Sequence, residues 1–196
     1  MKNGKIILAM ATLMAISIGA AMPARAKDKN SNIGLKLNLG LGSQDVAKEQ
    51  NLEKGDMASL SLGYGVSQRV TLWLGAGGSK HTHVLDSTRD SDFVGVELGV
   101  QYKFRPHEKF RPYGKLGLGT YFLGTEGVKA LNGGGVNWAL GAEYRLLRFL
   151  SVGAELFWKD FDYTKQAVDK DLKDFKDLDE PILGNTRGIM INFTLH

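Results

Sequence analysis

The fold class this sequence predicts is all-β: an eight-stranded antiparallel up-and-down barrel that crosses a membrane. Three observations predict it. Eight short segments alternate apolar with other residues at period two, and a strand puts each such set on its own face. In all eight the apolar set is free of charge, while the opposing set holds glycine, polar and charged residues. The connections between the segments alternate short and long, as in outer-membrane barrels.

The first segment sets Ile33, Leu35, Leu37, Leu39 and Leu41 against Gly34, Lys36, Asn38 and Gly40. The second sets Ala58, Leu60, Leu62, Tyr64 and Val66 against Ser59, Ser61, Gly63 and Gly65. In the third, Val70, Leu72, Leu74 and Ala76 oppose Thr71, Trp73, Gly75 and Gly77. The fourth is the clearest, with Val94, Val96, Leu98, Val100, Tyr102 and Phe104 against Gly95, Glu97, Gly99, Gln101 and Lys103. The fifth opposes Leu116, Leu118, Thr120 and Phe122 to Lys115, Gly117, Gly119 and Tyr121. The sixth opposes Val136, Trp138, Leu140, Ala142, Tyr144 and Leu146 to Asn137, Ala139, Gly141, Glu143 and Arg145. The seventh opposes Leu150, Val152, Ala154, Leu156 and Trp158 to Ser151, Gly153, Glu155, Phe157 and Lys159. The last opposes Ile189, Ile191, Phe193 and Leu195 to Met190, Asn192 and Thr194. Each run is about the 9–11 residues that a tilted strand needs to cross a bilayer.

The sign of the alternation decides the environment. Apolar outside with a charged lumen means lipid; apolar inside means a soluble carrier. A half-buried soluble sheet also alternates. Here, however, the opposing face is rich in glycine rather than in the Lys, Glu and Thr of a solvated surface, which suits a narrow interior. Aromatics sit near the segment ends: Tyr64, Tyr102, Phe104 and Tyr144 towards one rim, Phe122, Trp138 and Trp158 towards the other. That is where interfacial girdles lie.

The N-terminus agrees. Lys2 and Lys5 precede an apolar run from Ile6 to about Ala21, then Pro23 and Ala24-Arg25-Ala26, which reads as a signal peptide over 1–26 cleaved after Ala26. Residues 27–196 then form one barrel domain. The formal charge of +4 is mostly leader: without it, 22 basic residues face 21 acidic ones, which argues against a nucleic-acid partner. The absence of cysteine excludes disulfides, thiol chemistry, cysteine metal sites and a lipoprotein anchor.

Short turns are expected at Ser67-Gln68-Arg69, Arg105 to Pro112 and Leu147 to Phe149, on the periplasmic side with both chain ends. Long loops, expected at about 43–56, 80–92, 124–134 and 160–186, would face outside. The chain resembles the small eight-stranded outer-membrane β-barrels, the OmpA transmembrane domain and OmpX, over essentially all of 32–196. The likeness is strongest in Arg111-Pro112-Tyr113-Gly114-Lys115-Leu116-Gly117-Leu118-Gly119 and Asn137-Trp138-Ala139-Leu140-Gly141-Ala142-Glu143-Tyr144-Arg145. Such barrels usually end in an aromatic residue read by the assembly machinery. This chain ends Phe193-Thr194-Leu195-His196, so that signal is weakened or shifted.

The strand charges fall on the inward face: Lys36, Glu97, Lys103, Lys115, Glu143, Arg145, Glu155 and Lys159. Charges in a narrow lumen are costly unless paired, so a salt-bridge network filling it is expected, with a small conducting path as the alternative. His81-Thr82-His83, near Ser79, Asp86, Ser87, Asp90 and Asp92, holds hydrolase and metal-site ingredients without their geometry, and is expected to be a solvated loop. In the fourth long loop, Val168, Leu172, Phe175 and Leu178 have helix-like spacing within alternating charge, and would place an amphipathic turn on the rim. The acid pairs there lack the glycine and terminal glutamate of a calcium loop.

The expected function is a non-enzymatic outer-membrane barrel in contact with membrane lipids, with no cofactor, meeting an extracellular or surface partner through its loops. A lipid-remodelling enzyme using the His81 and His83 loop is the alternative. Two measurements check the class. Boiled and unboiled samples should migrate differently on a detergent gel, and the protein should sediment with outer membranes; a protein soluble without detergent would overturn it.

Overall fold

The computed structural model describes residues 32–46, 52–84, 90–125, 129–167 and 175–196. The expected leader and its cleavage point at Ala26 lie outside them, as do Asp86 and Ser87. The strands are β1 (Gly34–Val46), β2 (Gly55–Gly65), β3 (Val70–Thr82), β4 (Asp90–Lys103), β5 (Phe110–Thr125), β6 (Lys129–Arg145), β7 (Leu150–Ala167) and β8 (Lys176–Leu195). Each pairs antiparallel with its sequence neighbour, and β8 closes on β1.

The register sets the shape of the ring. From Val46 it runs through Thr186, Lys159, Asn137, Gly117, Gly99, Trp73 and Gly63, and returns to β1 at Lys36, ten residues from its start. A stagger of that size tilts the strands by roughly 40° and leaves an interior that side chains can fill. The parity of the sequence then sorts the residues. Leu116, Leu118 and Leu98 are 65%, 60% and 59% exposed on the outside, while Lys103 and Arg111 are fully buried inside. A soluble protein would show the reverse. On the outer face Trp138 and Trp158 lie opposite one another and stack at 4.1 Å between ring centroids. Tyr102 and Phe104 form an edge-to-face pair at the other rim, where Arg69 donates to the Tyr102 hydroxyl.

The end with the tight turns (the turn end) is close to expectation. Val66 N–H and Ser67 N–H both donate to Val70 O across the first turn, and Leu147 N–H donates to Leu150 O in the third. The second turn is shorter than expected: β5 begins at Phe110, so Arg111 is a strand residue.

The other end (the loop end) departs from expectation. Strand pairing continues well into the spans read as loops, so that only 126–128 separate β5 from β6, and β7 with β8 forms a hairpin reaching Ala167 and Lys176. The reason is physical. Beyond the hydrocarbon neither face needs to be apolar, so the alternation lapses, yet the backbone ladder still satisfies its polar groups. The helix-like spacing has a similar resolution. Lys176–Glu180 are strand, and Val168 and Leu172 lie outside the described residues. Leu178 and Ile182 are four apart, a spacing that a strand face and a helix face both allow, and both pack on the buried aromatic cluster within the barrel.

The lipid-facing assignment has a direct test. Leu116→Arg should lower unfolding stability in lipid vesicles by about 2–4 kcal/mol, against little for the same change on the exposed rim.

Candidate functional site in the barrel lumen

Lumen side chains form layers from the turn end to the loop end. In the first layer, Glu143 Oε1 accepts from Lys103 Nζ and lies 3.5 Å from Arg111 Nη1. Arg111 on β5 stands directly opposite Glu143 on β6 in the register, so one carboxylate serves two cations. Arg145 is buried in the same region, and Lys36 Nζ donates to the Asn32 side-chain oxygen. Asn32 is in turn fixed by donating to Ser67 O and Thr71 Oγ1, each at 3.1 Å.

The middle layers hold two further pairs. Lys115 lies 2.5 Å from Glu155, whose Oε2 also accepts from the Tyr113 hydroxyl at 2.9 Å. Lys159 lies 2.7 Å from Glu97, and its ammonium sits 5.2–5.8 Å from the ring centroids of Phe157, Tyr121 and Phe93. These pairs join β5 to β7 and β4 to β7, so they reach past the neighbouring strand and tie the ring across its bore. Towards the loop end the charges stop. Phe93, Tyr121, Leu123, Leu131, Phe161 and Tyr163 form a buried cluster, with Tyr121 and Phe161 rings 4.6 Å apart, and Leu52, Leu178 and Ile182 pack against it.

The glycines make room for these rings. A Cβ on Gly119 would lie 2.5 Å from the Tyr121 hydroxyl, and one on Gly141 would lie 2.6 Å from that of Tyr113. The inward glycine is therefore the seat of a neighbouring aromatic.

Of the eight charges read as inward, the structure joins Lys103 with Glu143, Lys115 with Glu155 and Lys159 with Glu97. Lys36 has no carboxylate in ion-pair contact among the described residues. Two members were missed: Arg111, which was placed in a turn, and Tyr113. Both share the parity of Lys115, which would have found them.

His81 is not a solvated loop residue, which corrects the expectation, whereas His83 lies just beyond the strand and is half-buried. Ser79 and His81 belong to β3 and face inward, 6% and 1% exposed. His81 Nδ1 is 2.8 Å from Glu53 O, an acceptor only, so Nδ1 carries the proton and Nε2 accepts from the Ser79 hydroxyl at 2.7 Å. His83 Nε2 is 3.1 Å from Ser91 Oγ, and Ser91 meets Thr125 at 2.8 Å. Parity turned Ser79 and His81 in, where they are shut from water. Among the described residues, no group of three or more His, Asp or Glu converges as a metal site.

A closed eight-stranded ring with leucines outside and paired charges inside defines an outer-membrane β-barrel protein. The chain matches the outer membrane protein beta-barrel domain over residues 11–180, and it belongs to that family. Solved structures agree on the fold. Neisserial surface protein A is 11% identical with a TM-score of 0.57, covering 83% of this chain and 96% of that one. OprG from Pseudomonas aeruginosa is 14% identical with a TM-score of 0.58, covering 86% and 98%. A major outer membrane protein from Thermus thermophilus is 12% identical with a TM-score of 0.50, covering 82% and 99%. No curated protein sequence matches the chain.

Because Glu143 holds Lys103 and Arg111 together, removing its charge strands two buried cations. Glu143→Ala should cost about 3–5 kcal/mol in urea unfolding of the refolded barrel, well above the loss from removing the exposed Asp177 at the hairpin tip.

Proposed function

We propose that this protein is a non-enzymatic outer-membrane barrel, exported by its 1–26 leader, whose lumen is a structural core and whose loop-end rim is the working surface. One observation carries the reading: ion pairs span the lumen and an aromatic cluster closes it towards the loop end. Lys36, Glu97, Lys103, Lys115, Glu143, Arg145, Glu155 and Lys159 form the network that holds the ring together. The tight turns face the periplasm and the β7–β8 hairpin stands outside, where it meets an extracellular or surface partner while the leucine band meets lipid.

The buried state of Ser79 and His81 supports a structural role over hydrolysis, since a nucleophile must reach its substrate. Both side chains turn into the barrel, away from lipid, which counts against lipid remodelling at the rim. The low-conductance alternative has one observation in its favour: a mid-lumen cavity of about 50 Å³ bordered by Ser59, Ser61, Lys115, Glu155 and Lys159. It lies beneath the aromatic cluster and is a blind chamber in this reading.

Planar-bilayer recording separates the two. The wild-type protein should show rare, small openings. The double variant Tyr121→Ala, Phe161→Ala should open a steady current, while removal of one ion pair should weaken the barrel more than it raises conductance. Large, stable wild-type currents would make the protein a channel, and loss of a lipid-modifying activity on His81→Ala would make it an enzyme.

A further inference from the structure

We propose that the turn-end lumen binds a small inorganic anion of the chloride class, held by Lys36, Lys103 and the indole N–H of Trp73. Three observations converge on one place. The first is charge: a cavity here is bordered by Lys36, Lys103 and Lys115 but by one carboxylate, Glu143. Lys115 is matched by Glu155 from the next layer, and Glu143 already serves both Lys103 and Arg111. Lys36, 6% exposed, donates to the Asn32 side-chain oxygen and lies against the Lys103 amine, with no carboxylate in ion-pair contact among the described residues. A buried ammonium without a counter-charge is among the most costly groups a fold can hold, so a mobile anion is the natural complement.

The second observation is hydrogen bonding. Trp73 Nε1 is buried without an acceptor, and Trp73 borders this cavity as well as the mid-lumen one. Lysine and indole nitrogens only donate, so this set asks for a species that only accepts. The third is size. The cavity measures about 30 Å³, room for one monatomic anion or about two waters. Water would satisfy the Asn192 side-chain oxygen, which has no partner, but would bring Lys36 no counter-charge.

The test compares anions at equal ionic strength. Thermal unfolding of the refolded protein in nonionic detergent, followed by the heat-modified gel shift, should have a midpoint about 3 °C or more higher in sodium chloride than in sodium gluconate. Crystals grown in sodium bromide should show an anomalous peak between Lys36 Nζ and Trp73 Nε1. Lys36→Met should fold to the heat-modifiable form and lose the chloride dependence. Should that variant fail to fold, Trp73→Phe removes the N–H donor while keeping an aromatic ring, and should shrink the dependence. Equal midpoints in both salts with no bromide peak would show that water alone fills the site and overturn the proposal. So would a chloride effect that survives either substitution unchanged.

Discussion

Ring closure is the constraint on which everything else in this molecule depends. A backbone amide or carbonyl left unpaired in hydrocarbon costs several kcal/mol, so strands can cross a bilayer only as a sheet without edges. The pairing of β8 with β1, from Leu37–Leu195 to Val46–Thr186, removes the last edge. Closure at a ten-residue stagger then fixes the bore. It is a bore that side chains can fill, and the inward positions hold large ones, which pack against neighbouring glycines.

What fills the bore follows from where each strand lies along it. Lipid excludes charge from the outward set, and every charged strand residue within the band is forced inward, into the same confined space. Pairing lowers the cost, and Lys103–Glu143, Lys115–Glu155 and Lys159–Glu97 supply it past the neighbouring strand, while Arg111 meets Glu143 along the wall. Lys159 on β7 reaches Glu97 on β4, with three rings around its ammonium that lower the cost of removing it from water. The aromatic cluster begins where those pairs end. Its rings need no counter-charge, so it can close the loop end without adding to the electrostatic burden of the turn end.

Much of this was legible from parity alone. All eight strands, their facing and the inward set from Lys36 to Lys159 follow from a period of two and a ban on charge in lipid. The boundaries were not legible at the loop end, because Thr82, Thr125 and Ala167 lie beyond the hydrocarbon, where strands continue without an apolar face. The partners were not legible either. Lys103 meets Glu143 from two strands away, and that match is set by tilt and stagger, which sequence spacing does not encode. Arg111 was hidden by its neighbours: Pro112 reads as a turn residue, although β5 accepts it near the strand's start. His81 illustrates the opposite error, since His81 and Thr82, read as loop, continue the strand, and the His81 ring leans over Gly55, where a Cβ would come within 2.7 Å.

The same constraint bears on where function can reside. Lumen positions are coupled: Glu143 is shared by two cations, Tyr113 rests on Gly141 and is tied to Glu155, and Tyr121 rests on Gly119 beside Lys159. A substitution at one member disturbs at least one other, so the interior resists gradual change. The outward band is bound by a single requirement, apolarity, and carries little information. Only the loop-end rim is free of both. There the β7–β8 hairpin rises beyond the apolar band, its ladder shifting register after Tyr163, with Lys165 and Asp177 exposed across it at 3.8 Å. A rigid barrel carrying a polar, loosely constrained crown is the arrangement in which surface recognition can vary while the fold does not.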